Sequence, residues 1–165
     1  MCNKPEPAVV VNDVHAKLNP TVMQRYLQPK TVAEVINVVI QANKDGSTLV
    51  VAGGRHAMGG QQFVTGGVLL DLSRLNQLEY FDPQLGQVTV QAGMQWPELM
   101  RKLHVMQQGA GRQWGIRQKQ TGADRLSVGG AIAANIHGRG LNMPPFVADI
   151  ISFELVNADG QLVHC

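Results

Sequence analysis

The sequence predicts an α+β chain, and three observations carry that reading. A helix signal over residues 31–46 leads directly into a short apolar run, Leu49–Ala52 (LVVA), that reads as a buried strand. Two strand patterns meet around Pro83-Gln84-Leu85-Gly86, from Glu79 to Asp82 and from Gln87 to Ala92, as a hairpin would. Two glycine-rich blocks, GGRHAMGG at 53–60 and SVGG at 127–130, respectively follow a strand and open a helix.

The helix begins with Thr31-Val-Ala-Glu34, a capping box whose hydroxyl and carboxylate satisfy two orphan N–H groups. Val32, Val35, Ile36 and Val39 then share one face, and Gly46 supplies the stop. Residues 1–28, with Pro5, Pro7 and Pro20 and no sustained period, read as an irregular segment. Val68–Leu72 (VLLDL) is a second strand, and Leu75 and Leu78 flank a short connection. In the hairpin's second arm Val88, Val90 and Ala92 alternate with Gln87, Thr89 and Gln91, the period of a half-buried strand. Pro97 suits the first turn of a helix whose apolar stripe is Trp96, Leu99, Met100 and Leu103. Residues 104–120, rich in Gln and Gly, carry no regular pattern.

Four glycines in Gly53–Gly60 leave a run of backbone N–H groups with little side-chain cover, able to reach φ > 0. Successive N–H groups turned into one concavity bind anions, a phosphate or diphosphate above all. A plain glycine turn is the competing reading. A Walker A loop is excluded, because Gly60-Gln61 stands where Lys-Ser/Thr would have to be. A dinucleotide fingerprint is excluded as well, since G-x-G-x-x-G is absent and no helical pattern follows.

Further on, Ser127 is a helix cap with Gly129 and Gly130 in the first turn, which predicts open N–H groups and a positive dipole end facing out. Ala131, Ala133 and Ala134 permit close approach, and the helix is expected to end near His137-Gly138-Arg139-Gly140. Ile150–Val156, with Ile151, Phe153 and Leu155 on one face, is the next strand; Asn157-Ala158-Asp159-Gly160 turns it into a return strand, Gln161–Cys165. A chain that stops on such a strand leaves an edge uncovered, so a domain truncated before its end is expected.

The 165 residues have the length of one domain, with a formal net charge of only +2 and no basic stripe, which argues against nucleic acid as a partner. Cys2 and Cys165 suggest neither a disulfide framework nor a metal site. The start shows no leader pattern and no run long enough for a membrane span, so a cytoplasmic protein is expected.

The order strand–GGRHAMGGQ, VLLDLSRL, strand–VQAG, then LSVGGAIAANIHGRG and a strand ending NADG resembles the FAD-binding domain of the vanillyl-alcohol oxidase / p-cresol methylhydroxylase (PCMH-type) flavoproteins, from about Leu27 to Cys165. The resemblance implies two α+β subdomains with FAD held between them. The matching bounds are 1–28 for the irregular segment, 29–78 for the first FAD-binding subdomain and 79–165 for an incomplete second one, the substrate domain being absent. It assigns to the cofactor Gly53, Gly54, Arg55, His56, Ala57, Met58, Gly59, Gly60 and Gln61, then Ser127, Val128, Gly129 and Gly130, with His137 and Gly138 passing near the flavin ring. Trp96 matches a common position of the family and is read as packing.

His56 stands where several sugar-lactone, polyol and cytokinin oxidases of this family carry a histidine bonded covalently to a methyl of the flavin ring. Those members usually read G-H-S; here Arg55 precedes the histidine and Ala57 replaces the serine. The block SVGGAIAANIHGRG also resembles the decaprenylphosphoryl-ribose oxidase branch, whose flavin is not covalently held. His56 is thus either a flavin tether or a loop contact. The implied function is an FAD-dependent oxidoreductase, oxidase or dehydrogenase, acting on an alcohol group, such as that of a sugar, sugar lactone or polyol, with the catalytic base outside this chain. The competing reading is a non-catalytic flavin-binding or interaction fragment.

Overall fold

In the first 74 residues an antiparallel ribbon, a parallel sheet and one well-capped helix are built almost entirely from short apolar runs. The computed structural model describes residues 8–120, 122–138 and 140–165. It resolves into two compact units, one running to Arg74 and resuming at Ser152–Cys165, the other spanning Leu75–Ile151.

In the first unit, β1 (Val9–Val11) pairs antiparallel with β2 (Thr21–Met23), and β3 (Arg25–Leu27) follows. The segment expected to be irregular therefore carries three strands. At three residues each they are too short to show a period, and β1 finds its partner across a nine-residue gap rather than locally. Helix α1 (Val32–Asp45) is held at both ends. Thr31 Oγ1 accepts from the Glu34 N–H at 3.2 Å, Glu34 Oε2 accepts from the Lys30 N–H at 2.7 Å, and Gly46 takes the left-handed conformation at φ 63°.

Helix α1 leads into β4 (Leu49–Ala52), which pairs in parallel with β5 (Val68–Asp71); β3 pairs in parallel on the other side, giving the order β3-β5-β4. Position in the sheet decides burial. Central β5 is buried at every residue, whereas β4, expected to be the buried strand, lies at the edge with Val51 52% exposed. Val11, Met23, Ala52, Phe63 and Leu69 form the core here.

The C-terminal hairpin, β8 (Glu154–Val156) and β9 (Leu162–His164), belongs to this first unit. Its turn meets α1: Asn43 Nδ2 donates to the Ala158 carbonyl, and Gly160 lies so close to Ile40 that a Cβ would stand 2.6 Å from Ile40 Cγ1. The strand expected over Ile150–Val156 is shorter, Glu154–Val156, and Ile151, Phe153 and Leu155 are all exposed.

The second unit opens with β6 (Leu78–Asp82) and β7 (Gln87–Val90), joined by a turn in which Asp82 Oδ1 accepts from the N–H groups of Gln84 and Leu85 and Gly86 sits at φ 67°. Helix α2 (Trp96–Met106) starts at the expected proline and buries Trp96, Leu99 and Leu103. Met94, Val128, Ala131, Ile136 and Phe146 complete that core, with Trp96 edge-on to Phe146 at 5.3 Å between ring centroids. The stretch without a sequence pattern is organised by buried Gln107. Its side-chain oxygen accepts from the Trp114 N–H at 2.6 Å, and its Nε2 donates to the carbonyls of Trp114 and Leu103.

Candidate cofactor-binding site

Loop 53–61 leaves the C-terminal end of β4 and returns to the first unit's core at Phe63. Two turns shape its exit: the Gly60 N–H donates to the Ala57 carbonyl at 3.2 Å, and the Phe63 N–H to the Gly60 carbonyl at 3.0 Å. Arg55 adopts φ 55° and Gly60 φ 71°. For Gly60 that conformation is cheap; for Arg55 it costs on the order of 1–3 kcal/mol unless the surroundings impose it. They do: the Arg55 carbonyl accepts from the Val14 N–H at 3.0 Å.

The donors of this loop fit a phosphate-bearing cofactor. Among the described residues, the N–H groups of Gly54, Arg55, Ala57, Met58 and Gly59 meet no acceptor. Next to them, Nε2 and Oε1 of Gln62 are both buried without a partner among the described residues. A buried amide normally finds partners, so Gln62 leaves polar capacity open next to the loop. Nothing in the sequence singles out Gln62, two residues beyond the last glycine of the loop.

Segment 12–19, read from sequence as irregular, lies against this loop. His15 Nε2 and His56 Nδ1 are 2.7 Å apart, and Asn19 Nδ2 donates to the Met58 carbonyl at 2.8 Å. Asp13 builds the segment: its Oδ1 accepts from the N–H groups of His15 and Ala16, and its Oδ2 from that of Lys17 at 3.1 Å. Burial pushes the Asp13 carboxyl up, but those backbone donors and the nearby His15 outweigh it and hold the group below its ordinary value. The Asn12-Asp13 pair was the available signal, since both side chains favour turns that fold back on the backbone.

In the second unit, Ser127 caps α3 (Val128–Ala133) as expected, its Oγ accepting from the Gly130 N–H at 3.3 Å. The donors do not face out. The Val128 N–H donates to the Met94 carbonyl and the Gly129 N–H to the Ala92 carbonyl, each at 2.8 Å. An antiparallel bridge between Gln95 and Ser127 stitches this helix start to the strand-to-helix connection before α2. The expected N–H anion site at α3 is therefore corrected: its donors are used within the unit.

Helix α3 also ends sooner than expected, at Ala133. Asn135 turns left-handed at φ 43°, and the Ile136 N–H returns to the Ala131 carbonyl while the Asn135 N–H returns to that of Ile132. His137 is exposed beyond that end, with Nδ1 3.0 Å from the Gly138 carbonyl. Arg139, within the quoted sequence block, lies outside the described residues. No helix among the described residues is long and apolar enough to cross a membrane.

Residues 23–165 match the family described as FAD binding domain. Among curated proteins, the chain is similar to L-gulonolactone oxidase of Mus musculus, at 27% identity over 143 residues, covering 86% of this chain and 30% of the relative. It is 31% identical over 137 residues to L-gulono-1,4-lactone dehydrogenase of Mycobacterium tuberculosis, covering 83% of this chain and 30% of that protein. Thus the chain spans about a third of the length of these relatives. Among solved structures, an alkyldihydroxyacetonephosphate synthase superposes with a TM-score of 0.71 at 22% identity, covering 85% of this chain and 28% of that one. That likeness bears out the α+β fold expected from the sequence. FAD is accordingly the cofactor, and the chain belongs to the FAD binding domain family.

Proposed function

We propose that this chain supplies the FAD-binding part of an oxidoreductase acting on the alcohol group of a sugar or sugar lactone. The single observation that carries the site is the run of open donors at Gly54, Arg55, Ala57, Met58 and Gly59 beside the unpartnered amide of Gln62. The relatives named as gulonolactone oxidase and dehydrogenase support the reaction class. Gly53–Gln61 wrap the diphosphate, with the N–H groups of Gly54, Arg55, Ala57, Met58 and Gly59 as its donors. Ser127–Gly130 contribute a bare backbone surface rather than donors, since Gly130 is exposed and a Cβ there would meet only Ser127 Oγ. The family resemblance assigns His137 and Gly138 to the flavin ring. When bound, FAD supplies the two-electron acceptor, and the protein supplies position and electrostatics.

The test is thermal stability of the full-length protein stripped of flavin, with FAD and NAD added separately. Stabilisation by FAD alone is expected; stabilisation by NAD but not FAD overturns the assignment. Acid precipitation of the untreated protein settles the role of His56. Flavin retained in the pellet marks a covalent tether, and flavin released into the supernatant marks a loop contact.

A further inference from the structure

The contacts between segment 12–19 and the glycine loop are few, directional and spread along the loop. The Val14 N–H holds the Arg55 carbonyl, His15 holds His56, and Asn19 holds the Met58 carbonyl. These grips fall on consecutive or alternate positions, and the open donors lie at the same residues or between them. A second contact comes from shape: a Cβ on Gly60 would stand 3.0 Å from the Asn19 Cβ, so the side chain of Asn19 fills the space that glycine leaves.

We infer that segment 13–19 is a clip for the cofactor loop, with His15 as a positioning residue that fixes His56 and thereby holds amides 54–59 ready for the FAD diphosphate. The inference rests on the FAD reading of that loop. The physical reason is preorganisation. A glycine-rich loop left to itself samples many conformations, and ordering it on binding costs roughly 1–2 kcal/mol per residue of backbone. A loop already fixed through its carbonyls and one side chain keeps its N–H groups for the ligand. The geometry serves this purpose: the Arg55 and Met58 groups gripped are acceptors, and the groups left open are donors.

The clip is itself rigid. Asp13 is 2% exposed, and its carboxylate gathers three successive backbone donors, while Asn12 Oδ1 accepts from the N–H groups of both Asp13 and Asn19. The two ends of the segment are therefore tied to each other before they touch the loop. His15 and His56 are 41 residues apart in sequence, so their contact closes a long loop that local turn chemistry would not hold.

The experiment uses the full-length protein stripped of flavin. His15→Phe keeps a ring beside His56 but removes the hydrogen bond; His15→Gln restores a side-chain donor. FAD affinity and release rate are measured by flavin fluorescence, and the backbone amides of residues 54–59 are followed by nuclear magnetic resonance without FAD. Loss of one such hydrogen bond predicts about tenfold weaker FAD binding for His15→Phe, mainly through faster release, with recovery in His15→Gln. The amide resonances of 54–59 should move or broaden in His15→Phe before any cofactor is added. Wild-type affinity together with unchanged loop amides in His15→Phe overturns the inference. If wild-type protein binds no FAD, the cofactor reading fails, and the loop amides still report whether the clip holds. Should His15→Phe fail to fold, Asn19→Ala removes the grip on Met58 and is expected to weaken FAD several-fold; wild-type binding there overturns the clip instead.

Discussion

Gly129 and Ala92 touch backbone to backbone: the Gly129 N–H donates to the Ala92 carbonyl at 2.8 Å, and a Cβ on Gly129 would stand 2.9 Å from the Ala92 Cβ. The same Cβ would lie 3.1 Å from the Ala92 oxygen, a backbone atom that cannot move aside alone. Gly130, one residue on, would meet only the rotatable hydroxyl of Ser127.

This contrast gives a paired prediction. Gly129→Ala should destabilise the protein by about 1–3 kcal/mol through overpacking, despite the gain in helix propensity. Gly130→Ala should be close to neutral or stabilising by up to about 1 kcal/mol. Urea unfolding midpoints of the two variants check it; equal midpoints would mean that α3 shifts away from Ala92 without cost.

Gln107 is the second test. Its buried side chain binds Trp114 at both N–H and carbonyl, in the manner of a strand partner. Gln107→Leu fills similar volume but leaves those backbone groups without a partner. A loss of about 2–6 kcal/mol is expected, from two groups at roughly 1–3 kcal/mol each. Trp114 fluorescence should shift to the red as its N–H and carbonyl take water instead, and an unshifted spectrum would show that the segment finds other partners.

Tyr26 sets a third expectation, this one in pH. Its hydroxyl donates to Asp71 Oδ2 at 2.5 Å. Burial first, then the hydrogen bond to Asp71 and the charge of that carboxylate, push the phenol from its ordinary 10.0 up to about 12, against the opposing charges of Arg55 and Arg74. Because the folded value is raised, the stabilisation is fully present below pH 10 and is lost as pH rises through about 12. Unfolding midpoints measured across that window should fall in the wild type. In Tyr26→Phe this step should be missing, on a protein already weakened by leaving a buried Asp71 oxygen unpaired. An identical alkaline fall in both would assign the effect elsewhere.

What could be read from the sequence was what the chain specifies locally. Helix α1 announces itself because Thr31, Glu34 and Gly46 all lie within the element they terminate. The hairpin turn at 83–86 is equally self-contained, with Asp82 and Gly86 supplying its chemistry. The glycine loop was visible as a run of exposed backbone, but the grip on it was not, because His15 and Asn19 come from another part of the chain. The donors of α3 illustrate the same limit. Ser127 correctly marks the helix start, yet Ala92 and Met94, more than thirty residues earlier, take the N–H groups that the sequence left open. Its end was misplaced because the left-handed position is held by Asn135 rather than by a glycine.

The docking of the C-terminal hairpin on α1 has a consequence for biosynthesis. The first unit is interrupted by the whole of Leu75–Ile151, so its final piece leaves the ribosome long after the helix that receives it. At ordinary translation rates of about 5–20 residues per second, the stretch from Asp45 to Ser152 makes that delay roughly 5–21 s. During those seconds α1 presents the bare shelf around Ile36, Ile40 and Asn43 to solvent, while the intervening unit emerges as an uninterrupted stretch that can fold first. A released chain ending at Ile151 should therefore be protected from protease across 75–151 and cut within the first unit.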